Sequence, residues 1–145
     1  MTLPVVLDSD GLDALSDPAP PVAFRALLQE AVRRGREVLL PSVVCAEACR
    51  GVARTRRVES ALARHGGGEG GRSVVRLVPT DFWLARQVGA VLHGANAGSA
   101  DLVDAHVVAI CALAGGGMVI SSGSGDIERL AQAVPSARIV VRPAR

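Results

Sequence analysis

Lysine and tyrosine are absent from the 145 residues, so all 16 basic side chains are arginine. P-loop NTPases and enzymes that form Schiff bases need a lysine, and the sequence therefore excludes both classes. Aromatic residues make up only 2% of the chain, which argues against RNA-binding modules that stack several bases on aromatic side chains. The longest apolar run covers residues 107–114, far short of the roughly 20 residues that span a bilayer.

Cysteine is scarce as well, with three residues at positions 45, 49 and 111. All three lie in apolar stretches, so we expect reduced core residues rather than a disulfide framework, as is typical of the cytoplasm. The first residues lack the basic segment of a secretory signal, which agrees with a cytoplasmic location. The formal net charge of +2 is too small to indicate a nucleic-acid-binding protein by itself.

The composition that is present, 49% apolar and 21% charged, is that of a globular protein. The length predicts one domain over residues 1–145, large enough for a core without disulfides. Helices are expected between short strands, and Ser42 and Thr80 are each expected to cap one helix. A loop is expected at the glycine-rich segment 66–71. The strands are predicted near residues 3–7, 38–40, 74–78, 118–120 and 138–141. This alternation predicts an α/β fold with a central parallel sheet of about five short strands and helices on both faces.

Three carboxylates interrupt otherwise apolar segments of the chain. Asp8 ends the run VVLD, Glu47 lies within VVCAEAC, and Asp104 lies within LVDAHVV. Burying an unpaired carboxylate is costly, so an arginine, a helix N-terminus or a metal ion must compensate. Mg²⁺ prefers carboxylate oxygens and retains water molecules for chemistry. The carboxyl ends of parallel strands are the expected place for such a site, which also draws attention to Ser121 after the fourth strand.

Each carboxylate also has a local explanation. Asp8 can cap the turn that follows it, and Glu47 can pair with Arg50 one turn later. Asp101, which shares a predicted helical face with Asp104, can be the N-cap of that helix. Asp104 is the hardest to explain locally, because it lies in the middle of an apolar helical pattern.

Four segments resemble the motifs of PIN-domain ribonucleases, particularly the VapC-type toxins of bacterial toxin–antitoxin pairs. The run VVLDSD around Asp8 resembles the opening strand of the family, and LPSVVCAEACRG around Glu47 resembles its second motif. The segment VDAHVVA around Asp104 resembles the third motif, and VISSGSGDI, which contains Ser121, resembles the fourth. The resemblance covers nearly the whole chain and implies the PIN fold and an RNA-cleaving activity that depends on Mg²⁺ or Mn²⁺.

The resemblance also implies roles for individual residues. Gly123 stands where the fourth acid of the family is expected; Asp126, three residues later, can replace that acid or can cap the helix that follows. The implied roles are metal ligation by Asp8, Glu47 and Asp104, retention of a metal-bound water by Asp101 or Asp126, and hydrogen-bond donation by Ser121 or Ser9.

RNA and protein partners are implied as well. Arginine suits contacts with phosphates, and a cluster that follows Glu47 is a candidate RNA-binding surface, although a solvated helix face explains it equally: Arg50, Arg54, Arg56 and Arg57. The resemblance further implies a VapB-type antitoxin, which often places an arginine in the acidic site, and a homodimer. No membrane association is expected.

Two other functions remain open on the sequence. Gly123 in place of the fourth acid is compatible with a catalytically degenerate PIN fold that only binds RNA or protein. A receiver-like α/β domain is a remoter alternative. It is disfavoured because a receiver needs a lysine, and because Val78 and Pro79 occupy the strand end where its phosphoacceptor aspartate would lie.

Overall fold

Five short strands form one parallel sheet in the computed structural model, which describes residues 2–66 and 73–145. In spatial order the strands run β3-β2-β1-β4-β5. The register aligns Leu7 of β1 with Ile120 of β4. Most of the predicted loop at 66–71 lies outside the described residues. The strands are β1 (Val5–Leu7), β2 (Val38–Pro41), β3 (Val75–Val78), β4 (Gly116–Ile120) and β5 (Arg138–Arg142).

Seven α-helices and one 3-10 turn connect the strands within the described residues. Six of the helices form two packed groups, one made of α1, α3 and α4 and the other of α5, α6 and α7. The connections from β1 to β2 to β3 run in one direction across the sheet, and those from β3 to β4 to β5 run in the other. Right-handed crossovers therefore place the two groups on opposite faces. The elements are α1 (Ser9–Ser16), α2 (Val22–Arg33), α3 (Ser42–Ala48), α4 (Val52–His65), α5 (Phe82–Gly94), the 3-10 turn (Ser99–Asp101), α6 (Leu102–Leu113) and α7 (Ser124–Ala131).

The predicted fold class is thus confirmed. Strand β1 lies between β2 and β4, so the direction of the connections reverses beside it. In open α/β sheets, ligands bind outside the carboxyl ends of the strands at such a reversal. The residues that follow β1 and β4, Asp8 and Ser121, are therefore brought to the expected location.

Apolar side chains fix the central elements in place. Every residue of β1 and β2 is buried, and α6 buries the continuous segment from Ala105 to Cys111. The close turn from α6 into β4 depends on glycine, because Gly116 has φ +144° and a Cβ there would lie 2.5 Å from the carbonyl oxygen of Arg138. No helix in the described ranges combines the length and the apolar character needed to cross a membrane.

Several local predictions are corrected. Asp81, not Thr80, caps α5, where its carboxylate accepts a hydrogen bond from the Leu84 N–H at 2.8 Å, since an aspartate one residue closer to the helix reaches that donor. Helix α3 begins at Ser42 itself, with Pro41 at the N-cap position. Helices α3 and α4 are separated at Gly51, whose φ of +93° is a left-handed conformation that suits glycine.

Candidate active site at the carboxyl edge of the sheet

Asp8 is the central acid of the candidate site. It directly follows β1 and is only 5% exposed. Its Oδ1 accepts hydrogen bonds from the N–H groups of Asp10 at 2.9 Å and Gly11 at 3.0 Å, so the predicted capping role is confirmed. Burial raises the pKa of Asp8, while Ser121 and the two backbone donors act in the opposite direction. The carboxylate is therefore fixed in direction and remains deprived of solvent.

Ser121 lies beside Asp8 because their strands are paired. The N–H of Asp8 donates to the carbonyl of Ile120 at 3.5 Å, and Ser121 is only 3% exposed. The Ser121 hydroxyl is near enough to lower the pKa of Asp8, yet within the described residues its Oγ is buried without a well-formed hydrogen bond. A buried hydroxyl beside a carboxylate is free to donate a hydrogen bond, and Asp8 is the acceptor nearest to hand.

Asp10 is a site residue that the sequence analysis did not single out. Its Oδ2 accepts a hydrogen bond from the N–H of Ser122 at 3.0 Å, across 112 residues of chain. This bond ties the first turn of α1 to the loop that carries Ser121. Asp10 lies two residues after Asp8 in the first motif, and that proximity was the only indication available in the sequence.

Asp104 lies in the first turn of α6. Its pKa is raised to about 6, first by burial and then by the charges of Asp8, Asp126, Glu47 and Asp101. We call these five carboxylates the acidic edge. They share one electrostatic neighbourhood, although no three His, Cys, Asp or Glu side chains in the described ranges already converge closely enough to hold a metal ion.

Arg129 is the second residue that the sequence analysis missed. Its Nη2 lies 2.7 Å from Oδ1 of Asp101 and 3.7 Å from Oδ1 of Asp126. Asp101 occupies the N-cap position of α6 but makes no side-chain capping bond. Asp126 lies inside α7, which begins at Ser124 with Gly123 at the N-cap position, so it does not cap that helix. The i,i+3 spacing of Asp126 and Arg129 was the available indication of their ion pair.

Glu47 differs from its sequence-based description. The segment around it is apolar, but Glu47 itself is exposed on α3, because a helix of this length buries only the face that carries Val44. No salt bridge among the described residues joins it to Arg50. Glu47 instead lines a groove of about 340 Å³ between α1, α3 and α4, together with Ser9.

The arginine cluster divides at this groove. Arg54 and Arg57 line it, whereas Arg50 and Arg56 do not. Arg57 is 4.0 Å from Oδ1 of Asp13, and Arg145 approaches Oδ2 of the same aspartate at 3.3 Å. The groove thus combines the exposed Glu47 carboxylate with two guanidinium groups, one of which has an internal acidic partner.

The cysteines that the sequence assigns to the core differ in how deeply they are buried. Cys111 is buried, which raises the pKa of its thiol to about 12, while Cys45 and Cys49 are only partly buried. His106 is buried, and its Nδ1 lies 2.8 Å from the Leu102 carbonyl, which indicates a structural role.

Solved structures share this arrangement of elements. A chain of DNA-bound VapBC from Salmonella typhimurium matches with a TM-score of 0.64 and 17% identity, over 99% of this chain and 100% of that one. VapBC2 from Rickettsia felis, bound to a promoter DNA fragment, gives 0.63 and 15% over 97% and 99%. FitAcB from Neisseria gonorrhoeae gives 0.61 and 14% over 94% and 96%. No family model and no curated protein matches the chain.

The chain has a PIN-like fold. The resemblance seen in the motifs is thereby confirmed at the level of the fold. In this PIN-like fold the fourth motif contributes the buried hydroxyl of Ser121 and, one helical turn into α7, the carboxylate of Asp126. Gly123 occupies the N-cap position of α7, where it offers no side chain to a metal ion or to the helix N–H groups.

Proposed function

We propose that this protein is an Mg²⁺- or Mn²⁺-dependent endoribonuclease and the toxin of a type II toxin–antitoxin pair. One observation carries the proposal. The buried carboxylate of Asp8 and the partly buried carboxylate of Asp104 share an edge of the sheet with the unsatisfied hydroxyl of Ser121. No described arginine forms a salt bridge with either acid. Buried carboxylates without a counter-ion are typical of a site that receives a cation.

The donor set fits a hard divalent cation. Mg²⁺ takes one or two protein carboxylates and otherwise keeps its waters, so it does not require three side chains that already converge. Asp8 and Asp104 would hold the ion from the sheet and from α6, and Glu47 would approach from α3. When bound, such an ion activates water and neutralises charge on the scissile phosphate.

The protein's own residues would position the substrate and these ligands. Two backbone N–H groups hold the Asp8 carboxylate in one orientation. The bond between Asp10 and Ser122 holds the loop that carries Ser121, whose hydroxyl is then available to donate a hydrogen bond to Asp8 or to a phosphate oxygen. Fixed donors of this kind cost no reorganisation when charge develops on the phosphate.

RNA would lie along the groove between α1, α3 and α4. Arg54 and Arg57 line it beside Glu47, so phosphates bound there lead toward the acidic edge. Asp13 competes with a phosphate for Arg57, but the pair is exposed and weak. Arg50 and Arg56, which lie outside the lining, would contribute only long-range attraction.

The partners follow from the same proposal. The matched structures are named as VapBC and FitAcB complexes and cover nearly the whole chain, which supports a VapB-type antitoxin as the partner. We also propose a homodimer acting in the cytoplasm, on the resemblance to VapC-type toxins.

A catalytically degenerate PIN fold that binds RNA or protein is the second candidate. It is favoured by Gly123, which offers no carboxylate. It is also favoured by the spacing of the acids, since no three of them within the described ranges lie close enough together to hold a metal ion. Such a module would bind its partner equally well with and without Mg²⁺.

Manganese binding by EDTA-treated protein separates the two candidates. Wild type is expected to bind Mn²⁺ and to cleave single-stranded RNA, whereas Asp8→Asn and Asp104→Asn are expected to lose both properties while remaining folded. Asp81→Asn is the matched control, since it removes an acid of the same type but keeps a competent N-cap. Folded wild type without binding at millimolar Mn²⁺ would exclude the metal-dependent nuclease.

A further inference from the structure

Arg129 occupies a specific position within the acidic edge. A single nitrogen, Nη2, lies 2.7 Å from a carboxylate oxygen of Asp101 and 3.7 Å from one of Asp126. The two acids come from different elements, the 3-10 turn before α6 and the first turn of α7. A positive charge is thus placed between two carboxylates that would otherwise be available to hold a divalent cation.

The acidic edge is therefore divided in two. Asp101 and Asp126 share one guanidinium, whereas no salt bridge among the described residues reaches Asp8, Asp104 or Glu47. A guanidinium stays charged at every accessible pH. Asp8, Asp104 and Glu47 can take a cation without losing an existing ion pair. A cation bound by Asp101 and Asp126 would have to displace Arg129.

Helix α7 holds Arg129 in this position. Its neighbours Leu130 and Ile127 are 0% and 1% exposed, and α7 packs against α6 and β5. The backbone at residue 129 is thereby fixed, although the side chain itself is 44% exposed. Since only the side chain is free, its substitution changes the charge of the acidic edge without disturbing the core.

We infer that the acidic edge takes one divalent cation, and that the guanidinium of Arg129 fills the place of a second. The inference rests on the proposed function, because it concerns how many ions the same carboxylates hold. Sites with two metal ions place them about 3.5–4 Å apart to act on both sides of a phosphate. Here a permanent side-chain cation would serve on the side of Asp101 and Asp126, which makes Arg129 a positioning residue.

The test counts bound Mn²⁺ in EDTA-treated protein by the electron paramagnetic resonance of the free ion. Wild type is expected to bind one ion. Arg129→Gln, which removes the charge, is expected to bind two, and Arg129→Lys, which restores it, is expected to bind one. Arg138→Gln is the matched control. Arg138 is exposed at the amino end of β5, away from the acidic edge, so its replacement should leave the count at one ion. Circular dichroism confirms that each variant is folded, and Arg129→Met is a second neutral variant that keeps the apolar stem.

The outcomes separate the two proposals. One ion in wild type and still one in both neutral variants would overturn the role of Arg129 and leave the metal-dependent nuclease intact. Two ions in wild type, or two in Arg129→Lys, would also overturn it, since the charge at this position would not limit the count. Absence of binding by all folded proteins would overturn the proposed function, and the inference with it.

Discussion

Two acidic residues of this chain, Glu30 and Asp104, occupy opposite electrostatic environments. Glu30 lies on α2 with Arg33 and Arg34 beside it, and hydrogen bonds from both arginines lower its pKa. Asp104 lies on α6, where burial and four neighbouring carboxylates raise its pKa to about 6. The first acid is satisfied within its own helix. The second is destabilised by its surroundings, which is the usual condition of a residue kept for binding rather than for stability.

The largest expected difference between the two acids concerns RNA cleavage. Asp104→Asn should lower Mn²⁺-dependent cleavage of single-stranded RNA by more than roughly 100-fold, since the loss of outer partners of a metal ligand alone costs about 10–100-fold. Glu30→Gln should leave the rate unchanged, because the ion pairs of Glu30 are with Arg33 and Arg34 at the end of α2 and not with the acidic edge. Initial cleavage rates at equal protein concentration measure the effect of each substitution. Comparable losses in the two variants would contradict the assignment of Asp104 to the metal site.

The next effect concerns stability without metal. Between about pH 4 and 6 the folded protein retains the proton of Asp104 that the unfolded chain has released. The free energy of unfolding therefore falls as pH rises through this window and stays lower above it. Asp104→Asn removes this penalty and should stabilise the EDTA-treated protein by about 1–2 kcal/mol at pH 7.5, after allowance for solvent screening. Urea unfolding at pH 7.5 and pH 4 measures the gain, which should vanish at the lower pH.

A smaller effect is expected at the buried serines. Ser121 Oγ makes no well-formed hydrogen bond among the described residues, although it lies near Asp8, whereas Ser16 Oγ donates to the Leu12 carbonyl at 2.8 Å. Ser121→Ala should therefore leave the metal-free stability nearly unchanged, while Ser16→Ala should cost up to about 1 kcal/mol. Mn²⁺ affinity should change in the opposite order, with a loss only in Ser121→Ala. A loss of stability in Ser121→Ala equal to that in Ser16→Ala would show that its hydroxyl is already satisfied.

The smallest effect is expected at Glu30 itself. Glu30→Gln removes ion pairs with Arg33 and Arg34 that lie on an exposed helix surface, and such pairs are screened by salt. We expect a slight decrease in melting temperature at low ionic strength and none in concentrated sodium chloride. A decrease that persists in salt would indicate that this pair is structural, and would weaken its contrast with Asp104.

Much of the acidic edge was predictable from the sequence. Asp8 and Asp104 stood out because a carboxylate in an apolar pattern needs a physical reason, and the structure places both near one edge of the sheet. Glu47 satisfied the same criterion but is exposed, since α3 is short and buries little beyond one face. Periodicity alone does not distinguish a buried helix from a short surface helix with apolar residues.

The aromatic residues give a second instance of this limit. Aromatic side chains are usually buried in a core, yet Phe82 and Trp83 at the start of α5 are 71% and 64% exposed. Both rings lie on the surface at the start of the helix, where they contact each other edge to face with centroids 5.5 Å apart. Residues near a helix start do not specify by themselves which of them the core covers, because that depends on how the whole helix packs.

The sequence by itself determined the alternation of strands and helices and placed an acid directly after β1. These features depend on local spacing, because neighbouring residues decide periodicity and capping. Only the tertiary structure decided the strand order β3-β2-β1-β4-β5. That order brings Ser122 to Asp10 across 112 residues and Arg129 to Asp101 across 28. The physical reason is that strand pairing and helix packing depend on complementary surfaces distant in the chain, and no local pattern specifies which of them meet.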